Sequence, residues 1–148
     1  MKIYISGKIG EEVISEATRQ KFARAEEMLK AEGYEVFNPC DEHWQAHLKA
    51  RYDTDRQIYQ PYTDGTVPDF YGYCLLRDLM ALSVKDAIYM LPDFLDSKGA
   101  KAEYAFAIAT GKIVYYDDEL FRDGTLRGKA YEKNRLPVMK DLKCPGYK

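Results

Sequence analysis

The chain has 148 residues, 46% of them hydrophobic and 31% charged, enough for one domain with a real core and too few for two. Lys and Arg number 22 against 24 Asp and Glu, and a net charge of −2 gives no electrostatic ground for a nucleic-acid polymer or a membrane surface as partner. No apolar run approaches a membrane span, and Cys40, Cys74 and Cys144, odd in number and widely spaced, suit reduced thiols in a cytoplasm better than a disulfide framework.

The opening Met1–Ser6 is too short and too strand-like for a signal peptide, so a cytoplasmic single domain over 1–148 is expected. Lys2–Ser6 alternates and is β-rich, which predicts a first strand ending at Gly7-Lys8-Ile9-Gly10. From Glu11 to Ala31, the residues Ile14, Ala17, Phe22, Ala25, Met28 and Leu29 recur at helical spacing. Glu11 and Glu12 would lie in the first turn of that helix and Lys30 in its last, matching the dipole, with Gly33 just beyond the end. Tyr34–Asn38 reads as a second strand, stopped by Pro39. Strand, helix, glycine and strand make a βαβ unit with parallel strands.

Asp41 to Arg51 has a weaker helical pattern. The stretch 52–73 follows, with Tyr52, Tyr59, Tyr62, Phe70, Tyr71 and Tyr73 among prolines and an Asp-Gly pair. It is too aromatic for a disordered linker and predicts an ordered insertion, over a pocket or against another subunit. Tyr73–Val84 is helical, with Leu75, Leu76, Leu79, Met80 and Ser83 on one face and Asp78 off it. Asp86–Leu91 is almost continuously apolar, as in a strand covered on both faces. Gly99–Thr110 predicts a helix buried along Ala102, Ala105, Phe106 and Ala109, with Glu103 bordering that stripe near the first turn. Gly111 ends it, Ile113–Tyr116 is a fourth strand, and Leu136–Met139 is a candidate fifth in a tail, 118–148, of uncertain structure. The alternation predicts an α/β, flavodoxin-like three-layer sandwich with a parallel sheet of four to five strands.

Along the carboxyl edge of that sheet fall Ser6-Gly7-Lys8, Asn38-Pro39, Pro92-Asp93 and Tyr116-Asp117, joined by Asp96-Ser97-Lys98-Gly99. Lys8 and Lys98, near helix N-termini, could hold an anion. Equally, Gly7 and Gly10 could serve only to turn the chain, since Gly-x-x-Gly is neither a dinucleotide fingerprint nor a P-loop. By periodicity alone Glu103 reads as an ordinary first-turn carboxylate, Asp78 as a partner of Arg77 or Lys85, and Tyr4 as core with a satisfied hydroxyl. His43 and His47 are four apart near Cys40 and Asp41, but no second pair completes a zinc pattern, so no metal and no cofactor is implied.

Taken in order, several stretches resemble the nucleoside 2-deoxyribosyltransferase superfamily, in particular its small bacterial and phage-type members. They are Tyr4-Ile5-Ser6-Gly7, Asp78 before the third strand, Asp86–Leu91, and Ser97-Lys98-Gly99-Ala100-Lys101-Ala102-Glu103. The resemblance runs from Met1 to about Asp117 and leaves out the Tyr-rich insertion and the tail. It implies cleavage or transfer at the N-glycosidic bond of 2′-deoxynucleosides or their 5′-monophosphates by a retaining double displacement. On this chain it implies Glu103 as nucleophile, Tyr4 as its orienter, and Asp78 at a sugar hydroxyl or the leaving base. Ser6, Gly7, Lys8, Asp93, Ser97, Lys98 and Gly99 would line the substrate, and a homo-oligomer would share the site between subunits.

Two departures bear on the substrate. Six residues before the nucleophile, transferases of free nucleosides are expected to carry a carboxylate. Here that position is Ser97, as in the branch that hydrolyses deoxynucleoside 5′-monophosphates. That branch also uses a serine and an arginine after the first strand, where this chain has Lys8 and Gly10. Hydrolysis of monophosphates, or nucleotide sensing without turnover, are the alternative readings.

Overall fold

The computed structural model describes residues 1–10, 13–57 and 66–122. Four strands form an all-parallel sheet in the order β2-β1-β3-β4: β1 Lys2–Ser6, β2 Glu35–Phe37, β3 Ala87–Met90 and β4 Ile113–Tyr116. The helices are α1 Glu16–Ala31, α2 Glu42–Asp55, α3 Phe70–Ser83, α4 Lys98–Ala109 and a short α5, Glu119–Arg122. The architecture is α/β and flavodoxin-like. The candidate fifth strand at Leu136–Met139 and the tyrosines Tyr59 and Tyr62 lie outside the described residues.

Strand alternation divides the core in two. Ile3, Ile5, Ala87, Tyr89 and Ile113 face α1, where Phe22, Ala25 and Leu29 cover them. Tyr4, Ile88, Met90 and Val114 face the other way, against Leu82 of α3 and Ala100 and Ala107 of α4. The chain leaves β1 toward β2 on one side and leaves β3 toward β4 on the other. The switch point, where an open parallel sheet parts its connections, therefore lies between the carboxyl ends of β1 and β3.

Several element boundaries and faces differ from the sequence expectation. The first long helix starts at Glu16, not Glu11, because the Ser15 hydroxyl caps it by accepting from the Thr18 N–H at 3.2 Å. Its dipole is matched by Glu16 at the start and Lys30 at the end, and Glu11 and Glu12 lie outside the described residues. Gly33, with φ 92°, follows the C-cap as expected. α3 starts at Phe70, three residues before Tyr73, since Asp69 caps it through the Gly72 N–H at 2.7 Å.

Phe70 and Tyr73 are consequently helical, and with Tyr52 of α2 they form an aromatic cluster with ring centres 5.2 to 6.4 Å apart. These three residues of the Tyr-rich stretch thus pack helix against helix, while Tyr71 is exposed. On α3 the predicted stripe is split: Leu79 packs against the core and Leu75 is half-buried, but Leu76, Met80 and Ser83 are exposed, and Tyr73 and Leu82 are the buried residues. On α4 the buried residues are Ala100, Glu103 and Ala107, while Ala105 and Ala109 face solvent.

Candidate active site

Tyr4 and Ser6 are two residues apart on β1, so both side chains leave the same face of the sheet, toward α4. The Ser97 hydroxyl starts α4 by accepting the Ala100 N–H at 3.1 Å. That cap puts Glu103 in the second turn, in phase with Ala100 and Ala107. The ordinary first-turn reading is overturned, because Glu103 is 6% exposed and its carboxylate points into the sheet. Two small alanines on the same face leave room for it. The Tyr4 hydroxyl donates to Oε2 and the Ser6 hydroxyl donates to Oε1 at 2.7 Å. Each carboxylate oxygen therefore has one fixed donor, which holds the group in a single orientation.

The electrostatics oppose this hydrogen bonding. Burial, and then the charge of Asp78, push the Glu103 carboxyl up to about 8, against the two hydroxyl donors that pull it down. Tyr4 is held well above the ordinary phenol range, first by burial and then by Glu103, so it stays a neutral donor. Burial also raises Asp78, to about 7, opposed by the hydrogen bond from Trp44 and by the charge of Arg77. Asp78 does not pair with Arg77 or Lys85 as expected. Its Oδ1 accepts the Trp44 indole N–H at 2.8 Å. Arg77 instead reaches Asp55 at 2.7 Å, the Tyr73 hydroxyl at 2.7 Å and His47 Nε2 at 3.0 Å. Two carboxyls raised toward neutrality thus share one buried region, and the charge of Asp78 acts on Glu103.

The other expected residues lie in the segments after β1 and β3 and at the start of α4. Gly7 is required by packing: a Cβ there would stand 2.7 and 2.8 Å from Cδ1 and Cβ of Leu91. Asp93 pins the β1 loop, with Oδ1 accepting the Lys8 N–H at 3.0 Å and Oδ2 accepting from Lys21 Nζ, which also donates to the Lys8 carbonyl at 2.8 Å. The Lys8 and Lys98 side chains are exposed. Around Gly99 there is room, since a Cβ would meet only Tyr71 Oη at 3.4 Å and Ser97 Oγ at 3.9 Å.

A groove of about 410 Å³ lies on the α1 side, lined by Lys21, Arg24, Leu91, Asp93 and Asp117, and includes none of Tyr4, Asp78 and Glu103. Glu103 and Asp78, two buried carboxyls raised well above the ordinary range, lie on the other face of the sheet and make the stronger candidate centre. Among the described residues no three His, Cys, Asp or Glu side chains converge as a metal site would require, and no helix is long and apolar enough to cross a membrane.

Sequence reasoning had not singled out Trp44 or Lys21. Trp44 carried a usable signal, being the one indole of the chain and a donor that needs a partner once partly buried. Lys21 carried none, because its partner is 72 residues away.

The family model for a domain of unknown function, DUF4406, matches residues 1–116. The chain belongs to the DUF4406 family. Among curated proteins none matches it. The DUF4406 match takes in β1 to β4 and every residue of the centre, from Tyr4 to Glu103, and stops at the end of β4. The tail from Asp117 onward lies outside it.

Proposed function

We propose that this DUF4406 protein is a nucleoside 2-deoxyribosyltransferase-like enzyme acting on 2′-deoxynucleosides or their 5′-monophosphates. The observation that carries the reading is the buried Glu103 carboxylate, held at both oxygens by Tyr4 and Ser6 with Asp78 nearby. A carboxylate so oriented is suited to attack an anomeric carbon. In the first displacement a Glu103 oxygen bonds to C1′ as the C1′–N bond breaks, and its electron pair leaves with the base. The reacting form is the one with Glu103 ionised between its two hydroxyl donors and the proton on Asp78, which gives that proton to the leaving base. In the second, an acceptor base or water attacks C1′, passes its proton to the Asp78 carboxylate and frees the Glu103 carboxylate. The scheme uses protein side chains alone and invokes neither metal nor organic cofactor.

A specific feature favours the monophosphate variant. The Ser97 hydroxyl accepts from the Ala100 N–H and keeps its own hydrogen to donate, next to the exposed Lys98 and the first N–H groups of α4. Ser97, Lys98 and the helix terminus there would take a 5′-phosphate. A homo-oligomer that shares the site between subunits belongs to the same reading. It is supported by the exposed Leu76 and Met80 of α3, a face that a second copy would cover.

The test is incubation with deoxynucleosides and with their monophosphates, with and without an acceptor base, followed by chromatography. Base released from monophosphate without acceptor marks a hydrolase, and exchange that requires acceptor marks a transferase. Binding of a nucleotide with every substrate left intact would mark a sensor and remove the enzyme reading.

A further inference from the structure

We propose that Trp44 is a positioning residue that fixes Oδ1 of Asp78 as an acceptor and leaves Oδ2 as the oxygen that carries the proton. An indole N–H can donate and cannot accept. With Nε1 at 2.8 Å from Oδ1, a proton on Oδ1 would meet the indole hydrogen head-on, so neutral Asp78 holds its proton on Oδ2. The assignment deepens the proposed function, and rests on it only for what that proton then does.

The indole is oriented without help from Asp78. Phe37 meets its ring edge-on at 5.1 Å, His47 stacks at 5.7 Å, and the Arg77 guanidinium lies 5.5 Å from its centre. Phe37 in turn stacks on Tyr4 at 5.3 Å, as expected of residues paired across β1 and β2. One aromatic run thus ties the orientation of Asp78 to that of the Tyr4–Glu103 pair. Arg77 would be the obvious ion-pair partner for Asp78, but its guanidinium nitrogens are engaged by Asp55, Tyr73 and His47. A neutral donor in place of a bonded cation lets Asp78 hold a proton near neutrality.

The charged and titratable groups facing Asp78 are Arg77 and Cys74 from its own helix, Glu103 from α4 and Tyr4 from β1. His47 lies behind the indole. The test separates them. Because Trp44 is the single tryptophan, its indole N–H gives one cross-peak in a ¹⁵N–¹H spectrum.

That peak should move with a midpoint near neutral pH in the wild type, stay flat in Asp78→Asn, and still move in His47→Gln. Trp44→Phe keeps a ring and removes the donor, so the Asp78 carboxyl carbon should titrate about half a pH unit or more higher. A flat wild-type peak, or one whose movement survives Asp78→Asn and vanishes in His47→Gln, overturns the assignment; the first comparison decides even if Trp44→Phe does not fold. Neither measurement needs turnover. An inactive protein with a titrating indole removes the enzyme reading alone, and an active one with a flat indole removes the Trp44 assignment alone.

Discussion

Tyr4 donates its hydroxyl to Glu103 Oε2 across 99 residues of chain, and neither side chain is more than 6% exposed. The bond joins the middle of the sheet to the second turn of α4. It satisfies a phenol that β1 buries and a carboxylate that α4 buries.

Tyr4→Phe keeps the stacking on Phe37 and removes the donor. Oε2 then lacks its hydroxyl in a buried site, which costs about 1–3 kcal/mol. The Glu103 carboxyl also rises further, because a bond that favoured its ionised form is lost. A lower urea midpoint with an unchanged m-value is the expected result, and deoxynucleoside cleavage, if measured at neutral pH, should fall.

Stability should decline as pH rises across the neutral range. Glu103 and Asp78 have folded-state values raised, to about 8 and about 7, above those of an unfolded chain. The native state therefore binds more protons than the unfolded state between the ordinary carboxyl range and about pH 8. The contribution is fully present below the unfolded value and is lost as pH climbs through the folded one. Urea titrations from weakly acidic to weakly alkaline pH should show this slope, and Glu103→Gln should reduce it.

Gly7→Ala should destabilise through contact with Leu91 and not through backbone strain. The new Cβ would fall 2.8 Å from Leu91 Cβ, an atom close to its own backbone that cannot swing away. The expected cost is about 1–3 kcal/mol, as for other overpacked sites, readable as a drop in the thermal midpoint.

How far the fold was legible follows from particular residues. β1 and β4 are β-rich apolar stretches beside glycines, and periodicity found them. The faces of α3 and α4 were read only in part: Leu79 and Phe106 pack against the core, but every apolar residue of the stripe was assumed to point inward. Leu76 and Met80 instead face out, and a glutamate takes the centre of α4's buried face between two alanines. The start of α1 was misplaced because Glu11 and Glu12 resemble a first turn, whereas Ser15 supplies the cap. Tyr4, Asp78 and Glu103 entered as a set through resemblance, since no local pattern senses a contact made over 99 residues. The Trp44–Asp78 bond required the three-dimensional packing of α2 on α3.

The central claim is that Glu103 is a nucleophile, and Glu103→Gln tests it most directly by keeping the shape and removing the charge. Base release from each deoxynucleoside and its monophosphate should be measured by chromatography beside substrate binding by calorimetry, for wild type and variant. The account predicts that wild type cleaves at least one substrate, while the variant binds that substrate with similar affinity and loses turnover by roughly a thousandfold or more. Base release by the variant near the wild-type rate would contradict it.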